Sequence, residues 1–503
     1  MNSYDIIIIG SGLGSLVCAN ILSREGYHVC VMEKHTQPGG CLQNFTRHGH
    51  TFDTGVHYIG GLLPGQTLHR YWNYLGILPD IKLHRLNINR FDVIGFDEAE
   101  FPLAQGFDNF ADQLLPYFPD GRDNLATYIR QIQSISKSFP LYNLELPFSG
   151  SNENQFRNRS GWKFIDELTT GIRHPGSGIP LSAVLAGNNF LYAGDHETTP
   201  LNQLALINHS FISSAWQLQG GSRQLANSLV KNLEKHGGSL LLRQEVNMIS
   251  KKKNQFAVQT CSGEIFHSSM LISGIHPSET YKLLEPSLVR PMTRNRILNL
   301  PNTTGAFSLF LCLKKNTTPF QSHNFHYFNS HDVWSASHTH EANWPSNYML
   351  YTPCPVDGDS FAETMIIMSY MDFTGFKKWE DSQVARRGND YLDTKHELES
   401  KLLDLVEHRF PDLRKNISFM ESATPLTWRD YTGTPEGSVY GIRKDYNNSI
   451  KTTILPRTKI HHLYLTGQNI NLHGLLGVTI GAVMTCGEII GLDQLLNKIR
   501  NAS

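Results

Sequence analysis

The sequence is poor in several features that would have placed it at once. Its seven cysteines are odd in number and form no CxxC pair, which excludes a disulfide framework and a cysteine zinc site and points to reduced thiols. Charge of one sign is missing too: 44 basic residues stand against 45 acidic ones, for a net charge of -1. That balance gives no electrostatic footing for nucleic acid or for an acidic membrane surface. Any peripheral membrane contact would have to be apolar, and Phe139 to Phe148 is the candidate segment. Long apolar runs are absent as well. Leu472 to Leu492 comes nearest, but His473, Thr479, Thr485, Glu488 and several glycines interrupt it, so it reads as a buried glycine-rich loop and helix and not as a membrane span. No charged leader precedes Tyr4, and the expectation is a cytoplasmic protein. There is no internal repeat and no low-complexity segment.

What remains is an ordinary globular composition, 40% hydrophobic and 18% charged over 503 residues. A chain of that length outgrows a single core, so two or more domains are expected.

The most informative residues lie at the start. Ile6 to Ile9 is a short apolar run suited to a strand buried on both faces. Gly10-Ser11-Gly12-Leu13-Gly14-Ser15 follows at once. Gly10 supplies a tight turn and Gly12 a close backbone approach to a pyrophosphate. A helix opening near Leu13 aims its free N–H groups at that anion. Leu13, Leu16, Val17 and Ile21 give this helix one apolar face, and Gly26 ends it. Val29, Val31 and Met32 make a second strand. Glu33 then stands about 20 residues past the glycines, where a carboxylate accepts hydrogen bonds from a ribose and repels a 2′-phosphate. One position departs from the GxGxxG pattern: Ser15 replaces its third glycine.

Further along, Pro38-Gly39-Gly40 and Phe52 to Gly60 (FDTGVHYIG) lie close to the nucleotide site in sequence. The interval from about 65 to 187, with a helical stretch from Gly121 to Ser138, looks like an insertion with its own packing. Gly220-Gly221-Ser222 precedes a helix from Arg223 to His236. Short strands are expected at Leu240 to Leu242, Val246 to Ile249, Phe256 to Thr260 and Ile265 to Ile272. Phe307 to Leu313 and Met365 to Tyr370 read as strands of a second sheet, and Ser400 to Phe410 as an amphipathic helix. Leu463 to Leu465 reads as a buried strand delivering a turn at Gly467-Gln468.

Together GSGLGS with Glu33, PGG, FDTGVHYIG, GGS and LYLTGQ resemble the phytoene desaturase superfamily of flavoproteins. FDTGVHYIG, TPLTWRDY at 424–431, GSVYG at 437–441 and LTGQNI are most similar to its retinol saturase branch. The resemblance implies an α/β fold of two domains, a Rossmann-like FAD domain and an interleaved substrate domain of mixed sheet and helices. Residues 1–70, 215–285 and 451–503 would bind FAD, 71–214 would form a helical substrate region, and 286–450 the substrate sheet. It also implies roles. Gly10, Gly12, Leu13 and Gly14 would face the pyrophosphate and Glu33 the adenosine ribose. Gly39 and Gly40 would sit by the phosphate or ribitol region, Val246 beside the adenine, and Gly467, Gln468, Gly477 and Val478 along the ribitol and flavin ring. Gln468 stands where many flavoproteins carry an acid.

The activity implied is hydride transfer between a flavin and a carbon–carbon bond of a hydrophobic polyene or isoprenoid, by saturation, desaturation or isomerisation, with NAD(P)H a candidate electron donor. Such chemistry asks little acid–base work of the protein. His57 and Tyr58 are the candidate proton donors or polyene-lining groups, with a satisfied buried hydrogen bond the equal alternative for His57. Tyr440 and Trp428 are candidates for the tunnel wall. His338, His340 and Glu341 are read as chance spacing and not as a metal site. An amine or porphyrinogen oxidase, and a lipid-binding escort protein without redox chemistry, are the alternatives. The oligomeric state stays open.

Overall fold

The computed structural model describes residues 3–146, 153–338, 343–356, 358 and 360–502. The first strand, Ser3–Ile9, pairs in parallel with Val29–Met32 on one side and with Ile265–Ser273 on the other. Ile6 to Ile9 are all buried, as a strand covered on both faces requires. The strand Ile265–Ser273 serves two further partners. Its first half pairs antiparallel with Gln255–Thr260, and its last residues pair in parallel with Leu463–Leu465. A segment almost 200 residues distant thereby completes the seven-stranded sheet begun at the N-terminus.

The helix Leu13–Arg24 departs from the one-faced expectation, because every residue from Leu13 to Ser23 is buried. It lies between the sheet and the helices Arg223–Lys235 and Gly474–Ile490, so it has no solvent face. Small polar residues make that possible: Asn20 Nδ2 donates to the carbonyls of Leu16 and Leu229, both at 2.8 Å. Gly26, at φ +89°, ends the helix as its sequence position requires.

The second sheet also has seven strands, in the order Ile417–Ala423, Gly305–Leu313, Thr364–Met371, Asn347–Tyr351, Asn324–Phe328, Asp92–Gly95 and Glu100–Leu103. All neighbours are antiparallel except Asn324–Phe328 with Asp92–Gly95. Two of these strands come from the interval expected to pack by itself. That expectation is corrected: Phe101, Tyr128 and Phe190 share one core with Phe310, Tyr351 and Tyr370. The expected helix at Ser400 to Phe410 is the second half of a longer one, Asn389–Arg409, whose more polar first half is anchored to the core by Tyr391 and Leu398.

The stretch at Leu472 to Leu492 forms the helix Gly474–Ile490, and among the described residues no helix is long and apolar enough to cross a membrane. All seven cysteines are free. In the candidate membrane-contact segment Phe139, Leu141, Tyr142 and Leu144 are buried and only Leu146 is exposed; Phe148 lies outside the described residues.

Candidate nucleotide and substrate site

A cavity of about 720 Å³ runs between the two sheets, from the first strand's C-terminal end to the helix Pro425–Thr432. Gly10, Gly12, Leu13, Gly14, Gly39 and Gly40 line it. Its floor is two glycine loops in contact. Gly39 N–H donates to the Ser11 carbonyl at 3.1 Å, and a Cβ on Gly40 would come within 3.1 Å of Gly12 Cα. Gly12 itself faces open space, with nothing within 4 Å of where its Cβ would be. Gly14 is glycine for another reason. A Cβ there would lie 2.8 Å from the Gly467 backbone nitrogen, so this residue admits the C-terminal turn.

Glu33 lies at one end of the cavity and is 5% exposed. One carboxylate oxygen accepts from Ser11 N–H at 3.0 Å and from Ser11 Oγ at 2.5 Å, and the other from His35 N–H at 2.9 Å. A carboxylate has about four acceptor positions, so one remains for a ribose hydroxyl. Val246, with Gln244 and Glu245, lines the same end.

Gly467, Gln468 and Val478 line the opposite wall, where the helix Gly474–Ile490 begins. The N-termini of this helix and of Leu13–Arg24 both open into the cavity, which favours an anionic group between them. Gly477, expected beside Gln468 and Val478, lines a different stretch of wall. It is turned to a second pocket, and a Cβ on it would meet Leu472 at 2.6 Å.

That second pocket, of about 120 Å³, adjoins the first at Gly55, Val56, His57, Tyr440, Gly474 and Leu475, which line both. Phe139, Phe190, Leu206, Phe211, Met349 and Leu472 make most of its wall. His57 Nδ1 is 2.8 Å from the Tyr351 hydroxyl, and burial lowers the ring to about 4. The imidazole is therefore uncharged at neutral pH, where it is no imidazolium acid. The Tyr58 hydroxyl donates to Asp92 Oδ2 at 2.8 Å. Burial, then the Asp92 charge, push this phenol well above its ordinary value. Tyr440 donates to the Phe190 carbonyl at 2.5 Å and packs at 4.1 Å on the ring of His473, which burial also lowers to about 4.

Comparison with known proteins adds a family profile, a likeness along the whole chain and a likeness of fold. The profile of the NAD(P)-binding Rossmann-like domain matches residues 8–75. The all-trans-retinol 13,14-reductase of Danio rerio is 26% identical over 97% of this chain and 86% of its own length. Along nearly its whole length, then, the chain is similar to retinol 13,14-reductases. Prolycopene isomerase 1, chloroplastic, of an Oncidium hybrid cultivar is 23% identical, with 98% and 85% covered. Among solved structures, cyclohexylamine oxidase from Brevibacterium oxydans matches at a TM-score of 0.62 and 15% identity, covering 99% of both chains. The fold is accordingly α/β, with a Rossmann-like nucleotide domain and an interleaved mixed-sheet domain, and the glycine-lined cavity suits a flavin or nucleotide cofactor.

Several residues of the site carry no local signal. Asp53 Oδ1 accepts from Ser222 N–H at 2.7 Å and Ser222 Oγ at 2.8 Å, so the FDTG and GGS motifs are two sides of one junction. Asn469 lines the cavity and accepts from Ile442 N–H at 2.8 Å. Trp428 lines the large cavity only, whereas Tyr440 lines both. His338 pairs with buried Asp195 at 3.0 Å, and no group of three or more metal-ligating side chains occurs among the described residues. His340 and Glu341 lie outside them.

Proposed function

We propose that this protein is an FAD-dependent oxidoreductase that acts on a carbon–carbon double bond of a polyene or isoprenoid, with saturation as its reaction. The residues present fit FAD and not merely its adenosine half. The cavity continues from Glu33 and Val246, past two helix N-termini and the open face of Gly12, to Gly55 and Tyr440. When bound there, the flavin supplies hydride exchange with carbon, chemistry for which the protein needs no nucleophile of its own.

One observation carries the choice of substrate. The pocket joined to the cavity has no Asp, Glu, Lys or Arg in its described wall, and both of its histidines are held uncharged by burial. An uncharged apolar wall suits a hydrocarbon chain and gives a cationic amine no counter-charge. That disfavours the amine oxidase reading, for which the likeness of fold gives no further support.

The chain's own residues then have separate tasks. Glu33 accepts the ribose hydroxyl, and the helix ends at Leu13 and Gly474 hold the pyrophosphate. Gln468 and Val478 border the ring, the amide of Gln468 standing where an acid would bring a second charge. Tyr440, fixed by its bond to Phe190, closes the junction and excludes water together with Phe190 and Phe211.

The deciding experiment mixes anaerobically reduced, FAD-loaded protein with retinol and a panel of carotenoids. NAD(P)H and a chemical reductant are supplied in parallel, and products are read by mass. A gain of two hydrogens supports saturation, unchanged mass with a shifted polyene spectrum makes it an isomerase, and a loss of two makes it a desaturase. No product from any polyene with either reductant overturns the proposal.

A further inference from the structure

The apolar wall of the substrate pocket hides a buried polar group. Asp92 and Asn324 are register partners on the parallel strands Asp92–Gly95 and Asn324–Phe328, and His326 is two residues further on. Alternate residues share a face of a strand, so all three project from one side of the sheet. Each is 0% exposed. Asp92 Oδ1 accepts from Asn324 Nδ2 at 2.9 Å, and Asp92 Oδ2 accepts from the Tyr58 hydroxyl at 2.8 Å. His326 Nε2 lies 3.4 Å from Asp92 Oδ1 without the alignment of a hydrogen bond, and neither ring nitrogen has a hydrogen-bond partner.

This arrangement is costly as mere structure. A buried carboxylate beside an imidazole adds no more stability than well-packed apolar residues of the same volume, and a buried polar atom without a partner calls for an explanation. Its position supplies one. The Tyr58 ring lines the pocket and packs against Phe211 at 4.6 Å, while His326 lies 5.9 Å from Phe190, another wall residue. His57, adjacent in sequence to Tyr58, lines both the pocket and the cofactor cavity. Tyr58 is thus a hydroxyl-bearing residue of the pocket wall that connects, through one hydrogen bond, to the buried Asp92.

We propose that Tyr58 is the catalytic acid that protonates the polyene and that Asp92, with His326 beside it, is the positioning residue that resupplies the proton to Tyr58. The assignment rests on the saturase reading above. One carbon of the double bond takes the hydride that a reduced flavin supplies, and its neighbour takes the Tyr58 hydroxyl proton with the π electron pair. For this step Asp92 is a carboxylic acid: its Oδ2–H donates to the Tyr58 oxygen, which frees the Tyr58 O–H for carbon and replaces its proton, and solvent then reprotonates the Asp92 carboxylate. Two C–H bonds form, one π bond is lost, and one hydride and one proton are consumed. Asn324 fixes the second carboxylate oxygen, so that the first keeps facing Tyr58.

The test uses the full-length, FAD-loaded protein and its Tyr58→Phe, Asp92→Asn, His326→Gln and Asp92→Glu variants. Retinol is turned over under anaerobic reduction in H2O and in D2O. The wild-type product should carry one solvent deuterium and show a solvent isotope effect on kcat. Tyr58→Phe and Asp92→Asn should each lower kcat about 100-fold, the scale of general-acid catalysis, with KM within about 3-fold. His326→Gln should lower kcat to a smaller extent and Asp92→Glu should restore part of the rate. Wild-type kcat and isotope effect in folded, FAD-loaded Tyr58→Phe would overturn the proposal.

A second readout needs no turnover: the infrared band of the Asp92 carboxyl, identified by its loss in Asp92→Asn, should shift in Tyr58→Phe and in His326→Gln. Should wild-type protein reduce no polyene, the functional reading fails while the band still reports on the relay. A band indifferent to both substitutions overturns the relay. If Asp92→Asn does not fold, the Tyr58→Phe rate and isotope effect decide.

Discussion

Ser15 and Gly274 stand face to face across the junction of the first helix and the Ile265–Ser273 strand end: a Cβ on Gly274 would lie 1.9 Å from Ser15 Oγ. The glycine missing from the third place of the dinucleotide motif is therefore supplied by the opposite chain. Close helix–strand approach needs one small partner, and either side can provide it. Ser15 Oγ is buried and has no hydrogen-bond partner, so nothing polar recommends the serine itself.

A compensation experiment follows from this contact. Gly274→Ala should destabilise the protein by about 1–3 kcal/mol through overpacking. Adding Ser15→Gly should recover most of that loss, and Ser15→Ala alone should be neutral or slightly stabilising, since it removes an unpaired buried hydroxyl. Denaturant midpoints of the four proteins check it; additive losses in the double variant would show that the two residues do not share the strain.

Glu33 makes a second case. Its two oxygens already accept from Ser11 and His35, so the carboxylate builds the loop before any ribose arrives. Glu33→Gln keeps the shape but replaces a charged acceptor, and a hydrogen bond to a charged group is worth about 1.5–3 kcal/mol. FAD should bind the variant about 10- to 100-fold more weakly, as read by titrating apoprotein and following flavin fluorescence. Unchanged affinity would confine Glu33 to a loop-building role.

How much of this was legible in the sequence depended on distance along the chain. The strand, turn, helix and Glu33 between Tyr4 and Glu33 are local, and hydrophobic period and glycine position were enough to place them. The second sheet was half legible. Phe307 to Leu313 and Met365 to Tyr370 are apolar but for Ser308 and Ser369, whereas the strand Asp92–Gly95 is only four residues long and begins with a buried acid. Its pairing with Asn324 lies 232 residues away, and no local pattern announces such a partner. The direction in which Gly477 faces was illegible for a similar reason. Helix glycines look alike in sequence, and only the rotation of Gly474–Ile490 decides that Val478 faces the cavity while Gly477 faces Leu472. Tyr58 and His57 were legible as neighbours of the site, but their partners Asp92 and Tyr351 were not.

The Asp195–His338 pair gives a pH dependence whose sign can be worked out. Burial alone would raise the Asp195 carboxyl, but hydrogen bonds from His338, Glu197 N–H and Thr198 N–H outweigh it and lower the group to about 2. His338 is raised above 6.5, first by its hydrogen bond to Asp195. The depressed carboxyl stabilises the fold above its unfolded value of 3.8 and loses that contribution as the pH falls toward 2. The raised imidazole stabilises it below 6.5 and loses that contribution as the pH climbs through its folded value. Both contributions coexist between about 4 and 6.5. His338 is more than half exposed, so its part is small, under about 1 kcal/mol. Melting temperature against pH should fall modestly between pH 6 and 8, and His338→Gln should flatten that fall; an identical slope in the variant would exclude the pair as its source.

Phe211 sets the reach of the substrate pocket. Its ring packs on Tyr58 and forms part of the wall of a pocket of only about 120 Å³, which restricts how far a polyene can pass beyond the junction with the cofactor cavity. The residue is only partly buried on the helix Leu201–Ser213, so truncating it should cost less than the ~3–5 kcal/mol of a fully buried phenylalanine. Phe211→Ala should thus leave a folded protein with a deeper pocket. The KM for a long carotenoid should drop about 10-fold, while that for retinol rises by no more than about 3-fold, because one lost apolar contact is worth about 1–3 kcal/mol at most. Freed of its packing partner, Tyr58 should also lose orientation, so kcat for both substrates should fall by a common factor. A carotenoid KM that stays put would mean that the chain enters by another wall, along Phe139 and Leu472.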